Sequence, residues 1–220
     1  MSKLKSQMYP WVDKTVNPIR GRCPHDCSYC YVKTSRVKHL YQGKPYLVDS
    51  FFEKSLGKGK TIFMGSCFDL FADGISRYWI QAILLYCRAY PTNTYLFQSK
   101  NPLKMSRYKD HFPPKTIFGT TIESNRDTYN ISKAPQCKDR VAYIALLPSP
   151  MISLEPLLDF DLKEFVEDLK YIEPSFISIG ADSKNHHLPE PPAGKIKELI
   201  QELEKFTAVK IKPNLKRLMK

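Results

Sequence analysis

With 220 residues the chain can bury the core of one domain, yet it is short for a complete eightfold βα barrel, which takes about 250. Its 34 Lys and Arg against 22 Asp and Glu leave a net charge of +12 and a pI near 9.3, a field that draws polyanions, nucleic acid first among them. No apolar run approaches the roughly 20 residues that span a bilayer, and Met1-Ser-Lys-Leu-Lys-Ser6 has no apolar signal core, so a cytoplasmic, reducing compartment and no membrane partner are expected.

The opening Met8-Tyr-Pro-Trp-Val-Asp13 sets Tyr9 and Trp11 beside Pro10. Exposed aromatics are costly, which favours a cover over one end of the fold against a flap on substrate. Lys14 to Ile19 reads as a first strand running directly into Gly21-Arg-Cys-Pro-His-Asp-Cys-Ser-Tyr-Cys30, where Cys23, Cys27 and Cys30 stand at Cys-x3-Cys-x2-Cys spacing. Thiolates this close together suit a metal. A four-iron cluster held by only three cysteines keeps one iron open to a small ligand, whereas ferredoxin-type clusters take four. The alternatives are a structural zinc site, with His25 or His39 as fourth ligand, or an inert loop. Zinc sites usually close from two cysteine arms, and no second arm follows. Three cysteines in eight residues also pair poorly as disulfides. His25 and Asp26 are expected to be solvated loop residues.

Tyr31 to Leu40 is expected to be helical, and Gly43, Pro45 and Gly57-Lys-Gly-Lys60 break the chain ahead of Thr61-Ile-Phe-Met-Gly65, an apolar run typical of a buried parallel strand. Cys67 falls in the exit loop of that strand, as either a functional thiol or a small buried side chain. Asp69 and Asp73 are polar groups of the mouth or caps for a helix from Gly74 to Tyr90, whose apolar face includes Cys87. Thr92 to Gln98 is a third strand, and Asn101-Pro102 caps a helix through Tyr108. Lys115 to Ile122 makes a fourth strand, leading to Glu123 and Ser124. A lone buried carboxylate is expensive, which marks Glu123 as functional, with Arg126 as its partner or a ligand's.

A helix from Pro135 to Leu147 takes Cys137 into its first turn. A fifth strand then ends in Ser153, Glu155 and Pro156. Asp161 to Ile172 is helical, and Ser175 to Gly180 is a sixth strand entering the polar loop Ala181-Asp-Ser-Lys-Asn-His-His187, in which Asp182, Lys184, Asn185, His186 and His187 suit a polar substrate or a solvated connection. Ala193 to Phe206 is an amphipathic helix, Thr207 to Lys212 a last strand whose Lys212 can reach the mouth, and 213–220 a basic tail. Strands alternating with helices favour a single α/β domain over 1–220, an open partial (βα) barrel of about six or seven parallel strands.

The cysteine spacing, the strand before it and Met64-Gly-Ser-Cys67 resemble the radical S-adenosylmethionine (SAM) superfamily from about Thr15 to Pro213. Ser153-x-Glu-Pro-Leu-Leu158 is similar to small phage-associated members, and Cys67 more distantly to spore photoproduct lyase, a family that uses a cysteine thiol as hydrogen-atom donor. This resemblance implies a [4Fe–4S] cluster on Cys23, Cys27 and Cys30, and SAM on the open iron. SAM would be cleaved to a 5′-deoxyadenosyl radical by an electron from a donor such as flavodoxin or ferredoxin. It implies SAM contacts at Tyr29, at Met64, Gly65 and Ser66, and at Thr121, Glu123, Ser124 and Arg126, with Cys67, Glu155, Asp182 and Lys212 as catalytic candidates. The substrate so implied is a nucleic-acid base, with a modified thymine of phage DNA foremost and an isomerase or rearrangement as the reaction. The protein is expected to be a monomer. A peptide or small metabolite as substrate, and a zinc-stabilised nucleic-acid-binding module, remain the other readings.

Overall fold

A computed structural model describes residues 9–128, 130–184 and 186–220. Seven strands form one parallel sheet: β1 (Lys14–Val16), β4 (Thr61–Met64), β5 (Thr94–Gln98), β6 (Thr116–Thr121), β7 (Met151–Leu154), β8 (Phe176–Ile179) and β9 (Ala208–Ile211). They lie side by side in chain order, with β1 and β9 at the two edges, so the sheet is open as expected. Each parallel step needs a crossover. Helices α1 (Arg77–Arg88), α2 (Pro102–Ser106), α3 (Cys137–Ile144), α4 (Leu162–Tyr171) and α5 (Ala193–Glu204) supply most of them.

Side chains alternate between the two faces of each strand. Ile62, Tyr95, Phe97, Ile152 and Ile177 belong to the large core, together with Ile83 and Cys87 of α1, Phe165 of α4 and Leu199 of α5. Phe63, Leu96 and Met151 gather in a second cluster with Tyr9 and Val12, against which Trp11 and Phe176 pack. Tyr9 is thus buried and not exposed, its ring stacked on Trp11 at 5.2 Å and its hydroxyl donating to Gln98 and Ser153.

Two local expectations fail. The run Lys14 to Ile19 does not continue as one strand: it breaks at Asn17-Pro18, and β2 (Ile19–Arg20) instead pairs antiparallel with β3 (Tyr46–Leu47). Proline cannot donate to a ladder, which explains the break. The stretch after Cys30 forms two short 3₁₀ turns, Tyr31–Thr34 and Lys38–Tyr41, in place of a helix. Thr34 and Ser35 hydroxyls donate back to the Tyr31 and Val32 carbonyls, and Ser35 is extended, so side chains compete with the helical ladder. By contrast Asn101 caps α2 as its sequence suggests, its side chain accepting from the Lys104 N–H at 3.1 Å.

Candidate active site at the strand exits

Because all seven strands of the main sheet are parallel, their C-terminal ends open on one face. The cysteine loop leaves the chain just beyond β1 and β2 and sits at that face, braced from behind by the segment before α3. Ser28 N–H donates to the Ile131 carbonyl at 2.8 Å, Lys133 N–H to His25 at 2.7 Å, and the Cys27 sulfur lies 3.2 Å from the Ser132 hydroxyl. Cys27 is buried; Cys23 and Cys30 are half-buried. Burial, and then the neighbouring Asp69, push the Cys23 thiol up to about 12, and burial also raises Cys30. Thiols in such a place ionise only against a metal or another strong cation.

His25 is not solvated as expected: it is 4% exposed, and its Nε2 lies 2.8 Å from Asp69 Oδ2. Asp69 caps no helix either. Its carboxylate also accepts from the Ser99 hydroxyl at 2.8 Å, the Lys100 N–H at 2.7 Å and the Phe71 N–H at 2.9 Å. One buried carboxylate thus joins the cysteine loop to the exits of β4 and β5. Burial opposes its ionisation, but His25 and the backbone N–H donors outweigh that and hold its pKa below the usual carboxylate range. Asp73 accepts from Asn101 and does not cap α1, whose N-cap is Ser76. Asp26 is partly buried and draws Arg22 and Lys33 onto its carboxylate at 2.7 and 2.9 Å.

Glu123, beyond β6, is fully buried and paired, but not with Arg126. Its partner is Arg140 of α3, also fully buried, at 2.6 Å, with Lys100 at 3.7 Å, the Cys137 thiol at 3.2 Å and the Tyr29 hydroxyl donating to it. Burial alone would raise the Glu123 pKa; Arg140 and then Lys100 overcome it and bring it to about 2. The Lys100 ammonium also lies 4.8 Å from the centre of the Tyr29 ring, and the Arg140 Nη2 has no hydrogen-bond partner among the described residues. Arg126 is turned outward to Asp159 and Asp161, because these carboxylates flank it on the surface. Ser124 donates to the Asp159 carbonyl and caps the turn, while Thr121 accepts from Gln98. Sequence reading missed Arg140, since an arginine inside an amphipathic helix looks like its solvated face.

At the exit of β4, Met64 is core and presents no side chain to the mouth. Gly65 has φ +78°, its N–H donates to the Val16 carbonyl, and a Cβ there would stand 2.7 Å from the Phe68 carbonyl oxygen. Gly65→Ala is therefore expected to cost about 1–3 kcal/mol from backbone strain, plus the overlap. Gly74 has φ +77° with open space around it, so Gly74→Ala is the comparison. Urea midpoints that shift equally for both would remove the role of the Phe68 contact.

Asn17, absent from the sequence reading, accepts from the Cys67 N–H at 2.7 Å and donates to the Ser66 hydroxyl at 3.2 Å. The Cys67 thiol lies 3.3 Å from the Tyr31 hydroxyl. Cys67 is half-buried in the mouth, unlike Cys87, which is fully in the core.

On the far side of the mouth Glu155 pairs with Lys212 and accepts from Asn214 at 3.1 Å. The Lys212 ammonium lies 4.4 Å from the Tyr9 ring centre. Asp182 accepts from the backbone N–H groups of Lys184 and His186 and contacts the His186 ring at 2.7 Å, which shapes its loop. Asn185 and the first eight residues lie outside the described residues.

The donor set fits an iron–sulfur cluster: three cysteines from one short loop, with the Lys100 ammonium over the Tyr29 ring of that loop. Among the described residues no three His, Cys, Asp or Glu side chains converge as a site for a single metal ion. His25, the nearest fourth ligand for zinc, has its Nε2 on Asp69, and His39 is exposed.

No curated protein matches the chain. Among solved structures it is similar to spore photoproduct lyase. A cysteine-to-serine mutant of that protein gives a TM-score of 0.65 at 10% identity, over 94% of this chain and 79% of that one. A doubly substituted form with bound AdoMet and dinucleoside spore photoproduct gives 0.63 at 10% identity, over 89% and 75%. A complex with dinucleoside spore photoproduct gives 0.59 at 12% identity, over 87% and 74%. At these identities the likeness is one of fold. The chain belongs to the family described as "Protein of unknown function (DUF5131)", whose model matches residues 6–193.

Proposed function

We propose that the protein is a radical SAM enzyme that abstracts hydrogen from a nucleic-acid base, a damaged or modified thymine of DNA above all. The observation that carries this reading is the position of Cys23, Cys27 and Cys30 at the mouth of an open parallel sheet, with Cys67 on the neighbouring strand exit. The fold likeness to a lyase whose structures hold a dinucleoside photoproduct supports the choice of base, as does the net charge of +12.

Cys23, Cys27 and Cys30 would hold a [4Fe–4S] cluster with SAM beside it, and together these supply one-electron cleavage of a sulfonium and hydrogen-atom abstraction. The chain's own part is positioning and exclusion of water. Asp69 and His25 fix the cysteine loop, Tyr29 and Lys100 stand beside it, and Ser66 with Asn17 shapes the wall next to Cys67. Tyr9 and its neighbours close the floor of the sheet. Cys67 would give its S–H hydrogen atom to a substrate carbon radical and be left as a thiyl radical, its thiol oriented by the Tyr31 hydroxyl. Glu155 and Lys212 present polar groups to the substrate from the opposite wall.

The test is anaerobic incubation of reconstituted, reduced protein with SAM and thymine-modified or ultraviolet-damaged DNA, followed by mass spectrometry of nucleosides and 5′-deoxyadenosine. A DNA-dependent nucleoside change is expected, lost in Cys27→Ala. Cys67→Ala is expected to retain deoxyadenosine formation while losing the normal nucleoside product. Deoxyadenosine with no nucleoside change would move the substrate to a peptide or metabolite, and a colourless, zinc-loaded protein would end the radical reading.

A further inference from the structure

We propose that the cation surface around the cysteine loop grips the phosphate backbone of the DNA strand whose base enters the mouth; this rests on the nucleic-acid reading above. The charge of this chain is segregated. Residues 20–44 carry six Lys or Arg (Arg20, Arg22, Lys33, Arg36, Lys38, Lys44) against the single carboxylate of Asp26. Residues 159–205, which include α4 and α5, carry eleven Asp or Glu against six Lys. A field of this shape orients a polyanion toward one side of the molecule.

The geometry at the loop adds organisation to that charge. Arg22, Lys33 and Lys133 converge on Asp26 at 2.7, 2.9 and 3.4 Å, and their side chains remain 67%, 45% and 73% exposed. Three positive charges on one negative leave a net excess at the rim, and each cation keeps N–H donors that Asp26 does not use. Some cations elsewhere are neutralised one to one: Arg126 and Lys195 by Asp159 and Asp161, Lys205 by Glu202, Arg217 by Glu190. Arg36, Lys38 and Lys44 are exposed, and no ion pair is formed by them among the described residues. Tyr46, 45% exposed and paired across β2–β3 with Arg20, offers a flat face for an unstacked base beside these cations. The same loop carries the three cysteines, so a strand held here has its bases at the mouth.

The experiment is fluorescence anisotropy of a labelled thymine-containing single-stranded oligonucleotide with the anaerobically reconstituted protein over a series of salt concentrations. Each phosphate contact on single strands contributes about 0.7 to the slope of log affinity against log salt. Arg22→Gln/Lys33→Gln/Lys133→Gln is expected to make that slope shallower by about 2 and to weaken binding roughly 10–100-fold at low salt. Arg36→Gln/Lys38→Gln touches no carboxylate, so it leaves the Asp26 loop intact; it should lower the slope by about 1.4. Lys163→Gln/Lys170→Gln/Lys197→Gln removes the same charge as the first variant from α4 and α5 and should leave the slope unchanged. Equal losses in the two triple variants, or none in either loop variant, would overturn the proposal while leaving the enzyme reading intact. Patch-dependent binding of RNA in preference to the same sequence in DNA would overturn the assignment to DNA. Failure of the unmodified protein to bind DNA at any salt would instead sink the nucleic-acid reading on which the proposal rests.

Discussion

Arg140→Met is expected to lower stability by about 3–5 kcal/mol, which for a chain of this size displaces the thermal midpoint by roughly 10 °C or more. The guanidinium is fully buried and donates to the Pro135 and Thr121 carbonyls, each at 2.7 Å, as well as to Glu123. Removing it strands a carboxylate that has no access to water, with Lys100 at 3.7 Å as its remaining cation. Pairs of this kind contribute little compared with an apolar pair of the same shape, while half a pair is costly. The double variant Glu123→Gln/Arg140→Met should therefore recover a large part of the loss. A double variant as unstable as Arg140→Met alone would mean that the cost lies in the two carbonyls and the cavity, and that the charge is incidental. Acid behaviour gives an independent check. Because the folded Glu123 pKa is depressed to about 2, below its unfolded value of roughly 4.3, its ionisation stabilises the fold above that upper value. This contribution, about 3 kcal/mol, is lost as pH falls through the window to about 2. Urea unfolding between those limits should show it, and Glu123→Gln should flatten the profile.

The order of elements was legible because each strand is a short apolar run and each crossover has a helical stripe, two patterns local in the chain. Thr61-Ile-Phe-Met64 and Asn101-Pro102 are examples in which neighbouring residues decide the outcome. The site was legible only where its residues lie close in sequence. The three cysteines announce themselves by spacing, and strand exits such as Cys67, Glu123, Glu155 and Lys212 follow from knowing where strands stop. What stayed hidden depends on partners far along the chain. Arg140 reaches Glu123 across 17 residues, Asp69 reaches His25 across 44, and Asn17 reaches Cys67 across 50. Nothing local separates Arg140 from any solvated arginine, or His25 from any loop histidine. Arg126 misled for the same reason: it is three residues from Glu123 in sequence, but Asp159 and Asp161 approach it from the next strand's exit. The failed helix after Cys30 has a local cause that propensity hides, since Thr34 and Ser35 satisfy backbone carbonyls themselves.

Asp69→Ala is expected to lower global stability and loosen the cysteine loop, so that the proposed cluster, once reconstituted, loses iron to a chelator about 10–100-fold faster, the range seen when groups that orient metal ligands are removed. Asp69 makes one bond to the loop, through His25, and the rest to Ser99, Lys100 and Phe71 on the β4 and β5 exits. Hydrogen bonds to a buried carboxylate contribute more than neutral ones, about 1.5–3 kcal/mol each, and leaving their donors unmet has its own cost. Two variants separate a brace on the cysteine loop from a general weakening of the strand exits. His25→Phe fills the same buried space and removes only the link to the loop. Ser99→Ala removes a bond on the strand side and spares that link. Iron release that is fast in Asp69→Ala and His25→Phe, and slow in Ser99→Ala, assigns the effect to the link. Equal acceleration in all three would place it in the strand exits and deny His25 any particular part. The electron paramagnetic resonance spectrum of the reduced cluster should change in the first two variants as well, because a displaced loop alters the geometry of the thiolates and a drop in global stability does not.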